Sequence, residues 1–476
     1  MTVHYSEVYQ KYGKIISEFS GNGELIFDNS KKYSCEFCLF QLSDGSTYFS
    51  IEKLPSGTTY TLSDVNRKFS FKGITDSGLI TTIQLEDSDS IRSFFPPLMY
   101  RIHQFKIIRI NLNQIKGIKF CITNFLFTGN NSEKDTLSLQ LPGEGSILIK
   151  KVVDYSDKER LLKDQVSIDI TSELFISLDN PNEIARAIRL AHDICCLLSI
   201  GRGSRVSWIN YTVYDERDEL MHQVFCPLTT RPLSGMPELI SSESRGVDST
   251  KYFLESAYLT ISKNNHLKKS LLKFCNVFNE ARDGRGFTEL RSVKIAVLME
   301  MLKEYTLVNP EFEISREILN SPKQKPVKDQ ILKQCKEVIT KQIESIDDIK
   351  YANRWCLPSK DIIDNHYKLE EDRLCLNGNL LGLNHTNFKK IVDRLCEKLE
   401  VPVTPQEIQK FVKSRNSLIH TGNFFCESQE CNLDDATWKE YQFLVNFLDK
   451  VFLKLFGYSG KYDNFLKWGH DLEDKI

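Results

Sequence analysis

The hydrophobic period of this chain becomes helical almost throughout from about residue 250, and that change restricts the fold more than any other feature. Before it, one helical stretch at 181–201 aside, apolar residues fall in short strand-like runs broken by Gly, Asn, Asp and Ser; after it, they recur at spacings of three and four. Alternation places successive side chains on opposite faces of a strand, whereas the 3.6-residue period gathers them on one side of a helix. Two such blocks in series predict an α+β protein, and 476 residues leave room for two or three domains with cores of their own.

Strands are expected at 23–28, 33–42, 69–73, 78–85, 105–112, 117–127 and 146–153, with Thr75-Asp76-Ser77-Gly78 as a hairpin turn. Their spacing suits a sandwich-like or curled antiparallel sheet. A helix is expected to start at Pro181 behind an Asn180 cap and to stop at Gly201, burying Ile184, Ile188, Ala191, Ile194, Cys195 and Leu198. Short strands follow at 206–214 and 221–225. Residues 226–250, rich in Pro, Gly, Ser and Thr, read as a linker or an exposed crossing loop. Helices are expected at 250–262, 266–279, 287–306, 325–346, 359–371, 386–400, 405–421 and 434–456. The domains are therefore 1–245, β-rich over 14–155 and mixed α/β over 156–245, and an all-helical bundle over 246–476.

A net charge of −2 removes any global electrostatic case for nucleic acid or an acidic membrane, so a basic site has to be local. The first residues lack an apolar signal core, and no run approaches the roughly 18 apolar residues of a membrane span. Thirteen scattered cysteines form no small-domain framework. The expectation is a cytoplasmic protein with free thiols, no membrane partner and no cofactor.

The stretch TPQEIQKFVKSRNSLIHTG at 404–422 carries the strongest chemistry. Thr404 and Glu407 make a capping box, Pro405 suits the first helical position, and Gly422 is a stop. On a wheel of about 100° per residue, Ile408, Phe411, Val412 and Ile419 form an apolar stripe with Arg415 inside it. A buried guanidinium needs a partner, either a carboxylate or a phosphate. Asn416 and His420 lie four apart at the stripe's edge. Metal-free RNA cleavage needs a group to take the 2′-OH proton, a group to protonate the leaving 5′-oxygen, and positive charge at the phosphorane. Histidine suits either proton role, and arginine offers a bidentate phosphate fork. One helix supplies one histidine, so two copies across a dimer would supply the complement.

Other groupings are weaker. Cys35 and Cys38 form a CxxC with no second pair near in sequence; on a strand, their thiols would point to opposite faces. Cys426 and Cys431 with His420 lack an evident fourth ligand. Gly201-Arg202-Gly203-Ser204-Arg205 follows a helix, the reverse of a phosphate cradle, and reads as a helix stop with exposed arginines. Lysines cluster in the helical half, and Lys389, Lys390, Lys410 and Lys413 are the candidates for RNA contact.

Arg415-Asn416-x-x-x-His420 in a helical C-terminal region resembles the R-polar-x-x-x-H motif of HEPN ribonucleases. Ala296-Val297-Leu298-Met299-Glu300-Met301-Leu302 is similar to an amphipathic helix found earlier in such domains. The 71–74 and 78–81 hairpin, with the helix beginning at Pro181 and the strand after it, resembles the N-terminal domain of ApeA-like anti-phage proteins. The resemblance implies an abortive-infection protein with a C-terminal HEPN domain acting as a metal-independent endoribonuclease. It would work as a homodimer on RNA, either tRNA or mRNA, with the N-terminal region sensing a phage-derived trigger or restraining the nuclease. Arg415, Asn416 and His420 would be catalytic, the partner of Arg415 would be a substrate phosphate, and Glu300 would support Arg415 from behind. The alternative is a non-catalytic HEPN module that binds a nucleotide or a partner.

Overall fold

The computed structural model describes residues 14–27, 32–43, 45–53, 69–85, 90–91, 98–102, 104–109, 115–128, 135–163, 168–226, 238–241, 247–282, 288–312, 388–421, 433–464, 466 and 473–475. It is an α+β protein whose main element is one sheet of fourteen strands. In chain order these are β1 (Ile15–Phe27), β2 (Lys32–Leu42), β3 (Thr47–Lys53), β4 (Phe69–Thr75), β5 (Ile80–Leu85), β6 (Ser90–Ile91), β7 (Leu98–Ile102), β8 (Phe105–Ile108), β9 (Ile115–Thr123), β10 (Thr136–Leu141), β11 (Gly145–Lys151), β12 (Ile170–Ser177), β13 (Ser207–Asp215) and β14 (Leu220–Phe225). Their order across the sheet is β10-β11-β12-β9-β13-β14-β8-β5-β4-β1-β2-β3-β7-β6. Every pairing is antiparallel.

The sheet curls, and one buried side chain shows how far. Gln41 on β2 donates Nε2 to the carbonyls of Ile209 on β13 (3.0 Å) and Cys226 (3.2 Å), and accepts from Asn210 Nδ2 at 2.9 Å. β2 and β13 stand six places apart in the sheet, so only a rolled sheet brings them together. The roll encloses an aromatic core: Phe71 packs edge-on to Phe37 at 4.8 Å, and Phe105 stacks on Phe225 at 4.4 Å. The Gly23–Gly73 strand pair makes room for it, since a Cβ on Gly23 would sit 2.4 Å from the Phe71 ring. The 75–78 hairpin turn forms as its sequence predicts, with Gly78 at φ 78° and its N–H donating to Thr75 O at 2.8 Å.

Eight helices are described: α1 (Tyr155–Lys163), α2 (Ile184–Arg202), α3 (Asp248–Lys263), α4 (Asn265–Arg282), α5 (Thr288–Val308), α6 (Phe388–Lys398), α7 (Pro405–Thr421) and α8 (Leu433–Leu455). The helices expected at 325–346 and 359–371 lie outside the described residues. α2 is preceded by a 3-10 turn, Pro181–Glu183, in which Asn180 Oδ1 accepts from the Asn182 N–H at 3.0 Å. It ends one residue beyond the expected stop: Gly201 is helical, and Gly203, at φ 69°, is the cap. Nor does α2 bury one face only. Ile184 and Ile188 are partly exposed, while 194–201 is buried all round, because this half packs against β9 and β13 as well as α3 and α4.

The chain forms two compact units, one of 1–298 with 421–476 and the other of 299–420. The boundary drawn from sequence at 245 falls inside the first unit, where α3 packs on β10 and α4 on α2. Residues 238–241, expected in a linker or exposed loop, are largely buried; the N–H groups of Leu239 and Ile240 both bond to Gly201 O. α8 closes the helical part of this unit, with Phe452 4.7 Å from Phe278 and the Tyr441 hydroxyl donating to Ala281 O. In the second unit, α6 and α7 bury Ile391, Leu395, Ile408, Phe411 and Leu418. Arg394 Nε donates to Phe312 O at 3.1 Å.

Candidate functional site

The capping box fixes where α7 begins. Thr404 N–H donates to Glu407 Oε2 at 2.6 Å, and Glu407 N–H to Thr404 Oγ1 at 3.2 Å. From that start, residues 408, 411, 415 and 418 follow a three-four-three spacing and face inward together. Ile408, Phe411, Arg415 and Leu418 are all buried. The expected stripe had Ile419 in it, but Ile419 is 40% exposed and Leu418 takes its place, about 100° round the helix. Arg415 thus lies in the middle of the buried stripe, at 8% exposure.

Its partner is a carboxylate of the same unit. Arg415 Nε donates to Glu300 Oε1 on α5 at 2.8 Å, and Nη2 reaches the same oxygen. Nη1 donates to Asn416 Oδ1 at 3.0 Å. The Phe388 ring, at the start of α6, covers the guanidinium at 4.8 Å and stacks on Phe411 one turn back. Glu300 has a second cation: its Oε2 accepts from Lys303 Nζ at 3.1 Å. Lys303 is buried, and desolvation pushes its pKa down against the pull of Glu300, with the Arg415 charge adding to the depression.

Above this cluster, α7 presents a polar ridge. Lys413, Asn416 and His420 sit at spacings of three and four, and all are exposed. His420 lies in the last turn, and among the described residues its imidazole has no hydrogen-bond or ion-pair partner. A guanidinium has five N–H groups; Glu300 and Asn416 occupy three, so Arg415 keeps two for an incoming acceptor. The Asn416 amide keeps its own donors, because its oxygen is the atom turned to Arg415. The arrangement can bind an oxyanion and exchange a proton beside it.

The remaining lysines are less concentrated than their sequence positions suggest. Lys389 is paired with Asp393 at 2.7 Å, Lys390 is exposed on α6, and Lys410 is half-buried on α7. Sequence reasoning missed Lys303 and Phe388. The i,i+3 spacing of Glu300 and Lys303 was visible, but which helix face they share with Arg415 is a tertiary matter.

Cys35 and Cys38 do lie on opposite faces of β2. Cys35 belongs to the aromatic core, where burial pushes its thiol up to about 12. Cys38 packs with Phe40, Leu42, Tyr48 and Met99, its thiol 3.4 Å from Glu18 Oε1. Two thiols so placed cannot chelate one ion. Cys426 and Cys431 lie outside the described residues. Gly203 stops α2 as a glycine there should, but Arg202 is not exposed: it is ion-paired with Glu238.

Among the described residues, no cluster of three or more His, Cys, Asp or Glu side chains is arranged to hold a metal, and no helix is long and apolar enough to cross a membrane. No family model, no curated protein and no solved structure matches the chain.

Proposed function

We propose that the chain is a metal-independent endoribonuclease of the HEPN type, acting in abortive-infection defence, with the β-rich region as sensor or regulator. One observation carries the reading: a buried arginine that bonds Glu300 and Asn416 keeps two N–H groups unspent, and Asn416 and His420 are exposed on the same helix. In this mechanism the Arg415 fork neutralises the charge that builds on the phosphorane, and Asn416 orients the phosphate. His420 exchanges the proton at the 2′-oxygen or the leaving 5′-oxygen. The second proton role falls to His420 of another copy, which makes the working unit a homodimer. The products are a 2′,3′-cyclic phosphate or 3′-phosphate and a 5′-hydroxyl.

The engagement of Arg415 by Glu300 within one chain favours a second reading, a non-catalytic module that binds a nucleotide or a partner's phosphate through the same ridge. Sequencing of cellular RNA ends after induction separates the two. His420→Ala and Arg415→Ala should each lower cleavage at least about 100-fold. His420→Ala, an exposed substitution, should leave unfolding within about 0.5 kcal/mol of wild type. Full cleavage by either variant removes the nuclease assignment, and new RNA ends absent even from the wild type leave the binding module.

A further inference from the structure

The charge count around Arg415 is odd, and the oddness is built from buried groups. If Glu300 alone faced Arg415, the pair would be neutral, and a phosphate would meet only the weaker attraction of a dipole at the guanidinium edge. Lys303 alters this. It lies one turn along α5 from Glu300, with its side chain only 3% exposed, and bonds Oε2 while Arg415 holds Oε1. Each carboxylate oxygen has its own cation, and the three hydrogen-bonded groups sum to +1; half-buried Glu304 also acts on Lys303, but as the weakest of its charged neighbours. Lys303 is too buried to reach a substrate itself, so its effect has to pass through Glu300.

We infer that Lys303 is a positioning residue that offsets the Glu300 charge, so that the free edge of Arg415 beside Asn416 remains a site for a phosphate monoanion or phosphodiester. The inference rests on the proposed function for the identity of the ligand, but not on cleavage itself. Lys303 fixes the Glu300 carboxylate from its far side, and Glu300 in turn holds the Nε edge of Arg415 inward. The opposite edge then meets Asn416, to whose Oδ1 Nη1 donates at 3.0 Å. A lysine does this better than a neutral donor, because it supplies charge as well as a hydrogen bond.

The experiment titrates inorganic phosphate into the full chain and follows the Arg415 Nε–H resonance, assigned by its loss in Arg415→Lys. Phosphate should shift that resonance in the wild type. Lys303→Met, which makes the cluster neutral, should bind phosphate roughly tenfold more weakly. Lys303→Arg should bind as the wild type does. The double variant Lys303→Met/Glu300→Gln returns the count to +1 and should recover most of the lost affinity, a rescue that a merely structural lysine would not give. Lys303→Gln keeps a donor for Glu300 Oε2 but removes the charge, and should bind phosphate as weakly as Lys303→Met, which tests the inference even if Lys303→Met fails to fold. No response of the wild-type resonance, an unaltered Lys303→Met affinity, or the absence of rescue in the double variant would overturn it. Phosphate binding with this pattern but no RNA cleavage leaves the inference standing and removes the nuclease reading.

Discussion

Two buried arginines in this protein meet carboxylates across helices, and the contrast between them separates a fastening from a site. Arg282 on α4 pairs with Asp449 on α8, with exposures of 1% and 0%. The Phe278 ring lies 5.7 Å from its guanidinium, and Gly203 leaves the space it fills, since a Cβ there would come within 2.7 Å of Nε. Burial pushes the Asp449 carboxyl up while Arg282 pulls it back, the signature of a pair shut away from water. Arg415 has the same kind of carboxylate partner but differs in two ways. Its cluster carries a third charge, and Asn416, the next residue on the helix, is exposed and polar. Burial and pairing therefore do not distinguish the two arginines, nor do unspent donors, since Arg282 Nε makes no hydrogen bond; the third charge and the open neighbour do.

The largest effect should come from the closed pair. Asp449→Ala leaves the Arg282 charge buried without this carboxylate, and should cost about 3–5 kcal/mol in urea unfolding. Glu300→Ala should cost less, about 1–3 kcal/mol, because Arg415 lies beside exposed Asn416 and because Lys303, whose pKa burial already lowers, can shed its proton. Equal costs would erase the distinction between the two pairs.

A smaller effect gives the first unit its own pH signature. Burial, aided by Lys106, lowers the His222 pKa to about 4 from an unfolded value near 6.5. Between those values the unfolded chain holds a proton that the folded one does not. Stability is therefore fully present above about pH 6.5 and is lost as pH falls through about 4. His222→Gln should remove roughly 1 kcal/mol of that acid sensitivity, allowing for partial exposure, and unfolding at pH 7 and pH 4.5 measures it.

The smallest effect lies in the second unit, at the turn that leads into α7. Glu400 sits at φ 53°, and the Val401 N–H returns to Cys396 O at 2.9 Å, closing a helix end that ordinarily takes glycine. Glu400→Gly should stabilise the protein by about 0.5–1 kcal/mol in the same urea assay, and a loss of stability would show that the turn is not strained.

Much of this was legible beforehand, where the cause is local. The capping box set the start of α7 to the residue, and the described helices from residue 248 onward begin and end within about three positions of their sequence limits. The 75–78 turn and the opposed cysteines of β2 follow from backbone period alone. Strands β3, β6, β7, β10 and β12 escaped notice, although β10 alternates cleanly. Their neighbours β2, β11 and β9 had stronger signals, and a sheet's membership depends on partners distant in sequence. Ile419 was misplaced because a wheel gives angles, not the direction in which the core lies.

What the sequence determined on its own is the succession of elements and the presence of one arginine on an apolar helix face, since both depend on residues within a few turns of each other. The rest was decided by tertiary structure. The roll of the sheet needed Gln41 to reach Asn210, 169 positions away. The state of Arg415 needed Glu300 and Lys303, more than a hundred positions upstream, on another helix. A charge in an apolar stripe requires a partner, and sequence can state that requirement. Which group answers it, and how many donors are left over, depends on how the helices pack.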